Sequence, residues 1–240
     1  MVEPLFVDVD LKTADQITLT GAEAKHAIAV RRMRIGEAIS VTNGKGLRLR
    51  GVVVNLNKES LDIQVDEIIQ ENAPALQFTL VQALAKGDRD ELAIQAATEL
   101  GVFAIIPWSA DRSISRWDGS KKKSGKDRWQ QIVLEASKQS LRSFIPEVED
   151  VIDSPALAKR LSGFDLALVL DPFGGKSLSE INLPTSGQVA IVVGPEGGIS
   201  KEELEAFSSS EQISLGSNIL RTSTAGPAVL AALTLGRNQP

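Results

Sequence analysis

A glycine-rich segment in the last third of the chain has the residue types of a ligand-binding loop. Gly-Pro-Glu-Gly-Gly at 194–198 directly follows a continuous apolar run at 189–193. Such a run is typical of a parallel strand buried on both faces, and open α/β sheets bind ligands at the carboxyl ends of their strands. Ser200 and Glu203 then predict a capping box at the start of a helix. Because a plain strand-to-helix turn needs only one glycine, the pattern favours a binding loop.

A second segment repeats this order nearer the carboxyl end. A short strand at 212–215 leads into Gly216, and hydroxyl residues at 222–224 precede an Ala- and Leu-rich helix at 225–235. The hydroxyls are typical of helix capping. Arg221 stands between strand and helix, where its permanently charged guanidinium could donate forked hydrogen bonds to a ligand. We therefore interpret Arg221 as a functional residue.

The composition excludes several kinds of chemistry. With no Cys and a single His, the chain cannot form a thiolate nucleophile, a Cys-containing zinc site or a polyhistidine metal centre, so we expect no metal. Gly-Gly-Lys-Ser at 174–177 resembles the end of a phosphate-binding P-loop, but the first glycine of that motif would fall at Leu170. The dinucleotide fingerprint is also absent. His26 lies far from the glycine loops, and we interpret it as structural or RNA-contacting.

Basic residues cluster in two stretches of a chain whose net charge is −5. Residues 25–50 contain seven basic residues and one acidic residue, and residues 110–142 contain nine and four. Residues 143–220 reverse the balance, with four basic and twelve acidic residues. This distribution fits a protein with one face turned to a polyanion, although ordinary solvated helices also produce such blocks.

The order of the predicted elements divides the chain into two domains. Residues 1–72 contain short β-like runs and one helical stretch at 22–32, which predicts a small β-barrel or sandwich. In residues 73–240, strands alternate with helices, which predicts an α/β domain with a parallel sheet. The predicted strands are 77–83, 104–108, 166–170, 189–193 and 212–215, and the predicted helices are 88–100, 126–139, 154–161, 201–207 and 225–235.

Two further expectations concern the chain as a whole. No apolar stretch approaches the length of a membrane span, and the first residues lack the features of a secretory signal, so we expect a cytoplasmic protein with no membrane partner. The lysine-rich stretch at 121–126 is locally low in complexity, which favours a mobile surface loop.

Motifs along nearly the whole chain resemble those of the RsmE family, the enzymes that methylate N3 of a uridine in 16S ribosomal RNA using S-adenosylmethionine. The order and spacing of these motifs carry the resemblance. They are His-Ala-Ile-Ala-Val-Arg at 26–31 with Met33, Gly36 and Asn43-Gly44; Lys-Gly-Asp-Arg at 86–89; Thr-Glu-Leu-Gly-Val at 98–102; Pro107, Arg112-Ser113, Arg128-Trp129, Glu135-Ala136, Gln139-Ser140, Arg142 and Pro146; and the segments 194–198, 215–216 and 219–222. Ser223 departs from the family, in which many members have Glu.

The resemblance implies both the fold and the ligand. It implies an amino-terminal PUA-like β-barrel that binds RNA, followed by a SPOUT methyltransferase domain whose parallel sheet ends in a trefoil knot. It also implies a homodimer, with S-adenosyl-L-methionine held by the two glycine loops. The residues expected to bind this cofactor are Leu170, Gly194, Glu196, Gly197, Leu215, Gly216, Ile219 and Leu220.

Methylation at N3 demands more than a methyl donor, because this nitrogen carries a proton that must be lost. Arg221 or Arg112 could stabilise the negative charge that develops on the uracil oxygens. Glu196 is the best-placed carboxylate for a base, but it could equally hold its loop by accepting backbone amides. The identity of the base therefore stays open.

The basic stretches supply candidate phosphate contacts, which set affinity but do not select the base. These candidates are Arg31, Arg32, Arg34, Arg48, Arg116, Lys122, Arg128 and Arg142. Among the few aromatic residues, we expect Trp117 to stack on a flipped uracil and Trp129 to lie in the core.

Two alternatives to the uridine-N3 reaction remain at this stage. The same fold could methylate another RNA position, such as a ribose 2′-oxygen, because fold does not fix the substrate. The chain could also be a non-catalytic RNA-binding assembly factor that retains the cofactor pocket. The expected partner is 16S ribosomal RNA, either free or within the assembled small subunit.

Overall fold

The computed structural model describes residues 3–235, which form two compact units. The first unit runs to Ala73 and includes Ser137–Ile145, whereas the second comprises Pro74–Ala136 and the described residues from Pro146 onward. The first unit thus contains a segment from the middle of the chain. The expected division into 1–72 and 73–240 did not include this segment.

The first unit is built on a five-stranded sheet. Its strands are β1 (Leu5–Val7), β2 (Gln16–Leu19), β3 (Ala38–Thr42), β4 (Leu47–Leu56) and β5 (Leu61–Gln70). They lie in the order β1-β3-β4-β5-β2, and all neighbours are antiparallel except β1 and β3. Along β4, Leu47, Leu49 and Val53 alternate with more exposed residues and enter the core, as the period of two in a strand requires.

The single helix predicted at 22–32 is shorter and irregular. It consists of α1 (Gly21–Lys25) and a π-helical turn (His26–Val30), and Arg32 then adopts a φ of 53°. His26 packs edge to face on Phe6, with the ring centroids 6.0 Å apart. This contact gives the histidine a structural role within the first unit.

Hydrogen bonds explain why residues 137–145 belong to the first unit. The Ser143 carbonyl oxygen accepts a hydrogen bond from the Gly46 amide at 3.0 Å, and the Ser143 hydroxyl donates to Glu71 at 2.6 Å. Arg48 donates to the Leu141 carbonyl at 3.2 Å and forms an ion pair with Glu71 at 3.0 Å. The local sequence pattern of residues 137–145 does not predict these contacts with the rest of the first unit.

The second unit contains an eight-stranded sheet in which every pair of neighbours is parallel. Its strands are β6 (Leu76–Ala83), β7 (Ala104–Ser109), β8 (Glu147–Val148), β9 (Ile152–Asp153), β10 (Leu166–Leu170), β11 (Lys176–Ser177), β12 (Gly187–Val193) and β13 (Glu211–Ser214). The order is β11-β13-β10-β12-β6-β7-β8, with β9 also paired to β7. The predicted α/β class is therefore confirmed.

Five further α-helices lie in the described residues. They are α2 (Arg89–Glu99), α3 (Ser120–Gln139), α4 (Ser154–Leu161), α5 (Lys201–Ala206) and α6 (Thr222–Leu235). The last three residues of α3 belong to the first unit. Gly226 lets α6 approach the sheet, because a Cβ at this position would lie 2.8 Å from a Leu80 methyl carbon and 3.2 Å from a Val193 methyl carbon. The start of α6 thereby packs closely on the middle of β6 and on the carboxyl end of β12.

The mobile loop expected at 121–126 is wrong, because these residues lie within α3. At Gly125, the indole of Trp117 fills the space that a side chain would occupy. Lys123 also pairs with Asp127 one turn along the helix, at 2.5 Å. The glycine thus reflects tertiary packing and not a break in the helix.

None of the described helices is long and apolar enough to cross a membrane. Within residues 3–235, no group of three or more His, Asp or Glu side chains is placed to hold a metal ion. The trefoil knot stays a prediction from the resemblance.

Candidate active site

A cavity of about 590 Å³ lies at the carboxyl ends of three neighbouring strands, β13, β10 and β12. Its walls come from the segments that follow these strands, at 170–173, 193–199 and 213–222, together with Arg89, Arg112 and Ala225. The eight residues expected to bind a cofactor all line it, as do Arg112 and Arg221. The structure therefore brings the two glycine loops into a single site, which has the size of a small-molecule pocket.

The loop at 194–198 is shaped by contacts with its own protein. A Cβ on Gly194 would lie 2.7 Å from a side-chain carbon of Ile199, and one on Gly197 would lie 3.1 Å from Cβ of Arg112. Gly198 has a φ of +73°, which a larger residue rarely adopts. These glycines are needed for packing even before a ligand is considered.

Glu196 is held by two donors from the segment that leads into α2. Its Oε1 accepts hydrogen bonds from the Lys86 amide at 3.2 Å and from Arg89 Nη1 at 2.6 Å. Partial burial raises the pKa of Glu196, but hydrogen bonds from its own amide, Arg89 and Lys86 outweigh this effect and lower the pKa below its ordinary value. A lowered pKa makes the carboxylate a weaker base, so the geometry favours its loop-holding role.

The three arginines that line the cavity differ in their partners. Arg89 pairs with Glu196, and Arg112 donates to the Gly197 carbonyl at 3.1 Å. The exposed guanidinium of Arg221 makes no hydrogen bond or ion pair with any residue that the structure describes. Arg221 is therefore the cation most available to a ligand.

The second glycine loop is open where the first is crowded. Gly216 has a φ of +105°, and a Cβ there would meet no atom within 4 Å. Ile219 is 66% exposed although it lines the cavity. A ligand here would find free backbone at Gly216 and an apolar side chain to cover it.

Thr222 connects the two loops at the start of α6. Its hydroxyl donates to the Gly194 carbonyl at 2.9 Å and accepts a hydrogen bond from the Gln82 side chain at 2.9 Å. The hydroxyl therefore joins the end of β12 to the residue after Arg221. Arg221 is held in place by this link and by the amides of Thr224 and Ala225, which donate to its carbonyl oxygen at 2.8 and 3.0 Å.

A buried carboxylate lies behind the first loop. Glu203 accepts hydrogen bonds from the Asp111 amide, the Ser154 hydroxyl and the Ser200 amide at 2.8, 2.6 and 2.8 Å, and Trp108 donates to Ser154 at 3.1 Å. The predicted capping box of Ser200 and Glu203 is confirmed. Burial raises the pKa of Glu203, but these hydrogen bonds prevail and lower it. Glu203 thus fixes the segment that carries Arg112.

Some cavity residues were missed from the sequence, namely Arg89, Asp171, Phe173, Asn218 and Thr222. The signal for Asp171 and Phe173 was present, because they directly follow the predicted strand at 166–170. The P-loop comparison at 174–177 does not include these two residues. Arg89 could not be assigned without the fold, since its partner Glu196 lies 107 residues away.

The candidate phosphate contacts of the first unit have different surroundings. Arg31, Arg32 and Arg34 are exposed in the segment after the π-helical turn. Arg48 is only 21% exposed in its ion pair with Glu71, and burial lowers the pKa of Arg142 to about 10. The three exposed arginines are thus better placed to meet a phosphate than Arg48 or Arg142.

Those of the second unit lie on and before α3. Lys122 is exposed, Arg116 donates to Ser109 and to the Asp111 carbonyl, and Arg128 forms an ion pair with Glu91 at 2.6 Å. Trp117 is not a free aromatic surface, because it packs edge to face on buried Trp129 at 5.0 Å and against Gly125. This packing argues against the expected stacking role of Trp117 and confirms Trp129 as core.

Comparisons with known proteins fit both units. A family model described as an RNA methyltransferase domain matches residues 71–234, and one described as an RNA methyltransferase PUA domain matches residues 19–66. These matches identify the chain as an RNA methyltransferase. The chain belongs to the ribosomal RNA small subunit methyltransferase E family.

Relatives of that name and solved structures of similar fold cover almost the whole chain. The enzyme of Mycobacterium tuberculosis is 36% identical over 97% of this chain and 92% of its own, and that of Bacillus subtilis is 33% identical over 93% and 91%. The crystal structure of the Neisseria gonorrhoeae enzyme bound to S-adenosyl methionine has a TM-score of 0.88 at 28% identity, with 98% of each chain covered. A Legionella pneumophila putative methyltransferase with bound SAM has a TM-score of 0.87 at 27% identity, with the same coverage.

Proposed function

We propose that this protein transfers the methyl group of S-adenosylmethionine to N3 of a uridine in 16S ribosomal RNA of the small ribosomal subunit. The observation that carries the proposal is one cavity at the ends of β10, β12 and β13, which combines both glycine loops with the cation of Arg221, for which the described residues offer no partner. The names of the relatives and the ligands of two solved structures of similar fold support it.

The lining of the cavity fits S-adenosylmethionine. An adenine requires apolar walls and backbone hydrogen-bond partners, and the cavity offers Leu170, Leu215, Ile219 and Leu220 together with the open backbone at Gly216. We assign these residues, with the backbone of 194–197, to hold the cofactor. When bound, the cofactor supplies a methyl group on a cationic sulfonium, which leaves as a neutral thioether.

The remaining chemistry falls to residues of this chain. N3 of the uridine gives up its proton to solvent water and then forms the new bond to the methyl carbon, so negative charge develops on the uracil oxygens before the transfer. Arg221 is placed to stabilise that charge, because its guanidinium is a cation with forked donors that no described partner neutralises. Arg112 and Glu196 instead position the 194–198 loop, which aligns the reacting atoms and helps to exclude water.

The wider assignments form part of the same proposal. Residues 1–72 act as a PUA-like RNA-binding domain, to which the segment 137–145 adds, and the rest of 73–240 acts as the methyltransferase domain with its trefoil knot. Two copies form a homodimer that works in the cytoplasm without a metal or a membrane. Phosphate contacts come from Arg31, Arg32 and Arg34 and from Lys122, Arg116 and Arg128, which are exposed in their respective units.

Product analysis tests the reaction. The purified protein is incubated with S-adenosylmethionine and either unmethylated small ribosomal subunits or naked 16S RNA, and the methylated nucleosides are identified by mass spectrometry. We expect 3-methyluridine. A ribose-methylated product would transfer the proposal to the alternative RNA position, whereas cofactor binding without any product would support a non-catalytic assembly factor.

A further inference from the structure

Phe173 is an exposed aromatic side chain at the rim of the cavity. It is 86% exposed, and it is the one aromatic among the described residues that line the cavity. A single exposed apolar side chain is ordinary on a protein surface, but this ring borders a small-molecule cavity, where apolar and aromatic side chains commonly contact the ligand. Neither the cofactor assignments nor the charge-stabilising role of Arg221 uses this ring.

The segment that carries Phe173 is fixed at both ends. Before it, the Asp171 amide donates to the Ile213 carbonyl at 3.0 Å, and Asp171 Oδ1 accepts a hydrogen bond from the Phe173 amide at 3.0 Å. After it, Gly175 lies so close to the backbone of Gln212 that no side chain would fit, and Lys176 pairs with Ile213 in the sheet. The ring is thus presented from a supported turn, which suits a preformed platform.

The proposed reaction needs such a platform. N3 lies on the edge that uridine uses for base pairing, so the base must leave its helical stack before this atom can reach a methyl donor. Proteins that hold an unstacked base offer it an aromatic face to replace the lost stacking. Trp117 cannot provide one, because its ring is packed on Trp129 and Gly125.

We propose that Phe173 is the stacking platform for the target uracil, and that it orients the base while Arg221 contacts the uracil oxygens. This inference rests on the proposed function. Both side chains line the same cavity, one supplies an apolar face and the other a cation, and neither is occupied by a described partner of opposite charge or by a second ring. A flat neutral heterocycle with polar oxygens at its edge matches this pair.

The test separates substrate binding from cofactor binding. Phe173→Ala, Phe173→Leu and Phe173→Trp are compared with the wild type for turnover of unmethylated small subunits and, by calorimetry, for the affinity for S-adenosylmethionine. We expect Phe173→Ala to lower kcat/KM for subunits about 10-fold to 100-fold while the Kd for the cofactor changes less than about twofold. Phe173→Trp should restore most of the activity, and Phe173→Leu should not, because it keeps apolar bulk without an aromatic face.

Ile219→Ala provides the matched comparison at the same rim. Because Ile219 is assigned to the cofactor, this variant should weaken binding of S-adenosylmethionine, which Phe173→Ala should not do. A parallel rise in the cofactor Kd of Phe173→Ala would overturn the proposal, and so would full activity of Phe173→Leu or a changed oligomeric state of Phe173→Ala. If the wild type makes no 3-methyluridine, the proposed function itself fails, whichever way the Phe173 variants behave.

Discussion

The cavity has two sides that use similar side chains in different ways. On the paired side, the loop at 194–198 is held by Arg89, Arg112 and the Lys86 amide. On the open side, Phe173, Ile219 and Arg221 face the cavity without a described polar or aromatic partner. Arginines on the paired side stabilise the protein, whereas the arginine on the open side is available for a substrate.

The difference teaches how a charged site can be both rigid and reactive. Donors that already bind protein atoms do not need to reorganise when a ligand binds. However, they can add little new stabilisation to a transition state. Groups left without a partner can add more, provided that their backbone is fixed. The backbone of Arg221 is fixed by the hydrogen bonds at the start of α6, so it satisfies both conditions.

The largest effect is expected for Arg221→Ala. If Arg221 stabilises the developing uridylate charge, the variant should lose about 100-fold to 1,000-fold in kcat. Calorimetry and filter binding should show unchanged affinity for S-adenosylmethionine and for small subunits. Arg221→Lys should recover only part of the activity, because it keeps the charge and loses the fork. Unaltered turnover of Arg221→Ala would end the assignment and remove the contrast between the two sides.

Stability measurements test whether the paired side is a scaffold. Glu203→Gln replaces a carboxylate that accepts three hydrogen bonds with an amide that turns an N–H group towards one of the donors. We expect the free energy of unfolding, measured with urea, to fall by about 1–3 kcal/mol. Glu205→Gln on the same helix is the control, since Glu205 is exposed and its ion pair with Lys201 is long, at 3.9 Å. This variant should change the free energy of unfolding by less than about 0.5 kcal/mol.

The lowered pKa of Glu203 also predicts how the stability difference between wild type and Glu203→Gln depends on pH. The pKa of Glu203 is lower in the folded protein than its ordinary value of 4.5, so its ionised form stabilises the fold above that pH. The contribution should disappear as the pH falls through the lowered value in the folded state. The stability gap between wild type and Glu203→Gln should therefore shrink on acidification, and a gap that widens would contradict the sign of the shift.

Much of this architecture is legible in the sequence, because it depends on local periodicity. The predictions at 154–161 and 166–170 match α4 and β10 residue for residue. In α4, Asp153 accepts a hydrogen bond from the Ala156 amide, and the chain provides a proline in the first turn, which is a start signal that local sequence can carry.

The sequence predictions fail where contacts between residues far apart in the sequence determine the structure. The two-residue strands β8, β9 and β11 are too short to show any period, and the return of 137–145 to the first unit depends on Gly46, Arg48 and Glu71. In the site, the glycine-rich segments and the ends of the predicted strands are sufficient to predict where the cavity lies. Arg112 and Arg221 differ in role because the Arg112 guanidinium donates to the Gly197 carbonyl, whereas that of Arg221 has no described partner. The spacing of these residues in the sequence does not predict this difference.

Glu196→Gln distinguishes a base from a loop anchor. As an anchor, the glutamine keeps an acceptor for Arg89 and the Lys86 amide, so kcat should fall less than about 10-fold, whereas loss of a general base costs about 100-fold to 10,000-fold. The pH dependence of kcat should keep its shape in the variant. A large loss with a changed pH profile would make Glu196 the base and place a reactive group on the paired side.

Arg112→Lys is the smallest change and the sharpest test of the contrast with Arg221. The lysine retains the charge but reaches the Gly197 carbonyl, now 3.1 Å from the guanidinium, with a single flexible donor in place of a planar fork. Because the loop is already held by Arg89 and the Lys86 amide, we expect the KM for S-adenosylmethionine to rise only a few-fold and kcat to stay near that of the wild type, since uniform binding and not transition-state stabilisation is lost. Steady-state kinetics with both substrates varied would show this. A fall in kcat comparable with that of Arg221→Ala would mean that the Arg112 guanidinium leaves the Gly197 carbonyl to act on the substrate. The paired side would then be rearranged when RNA binds.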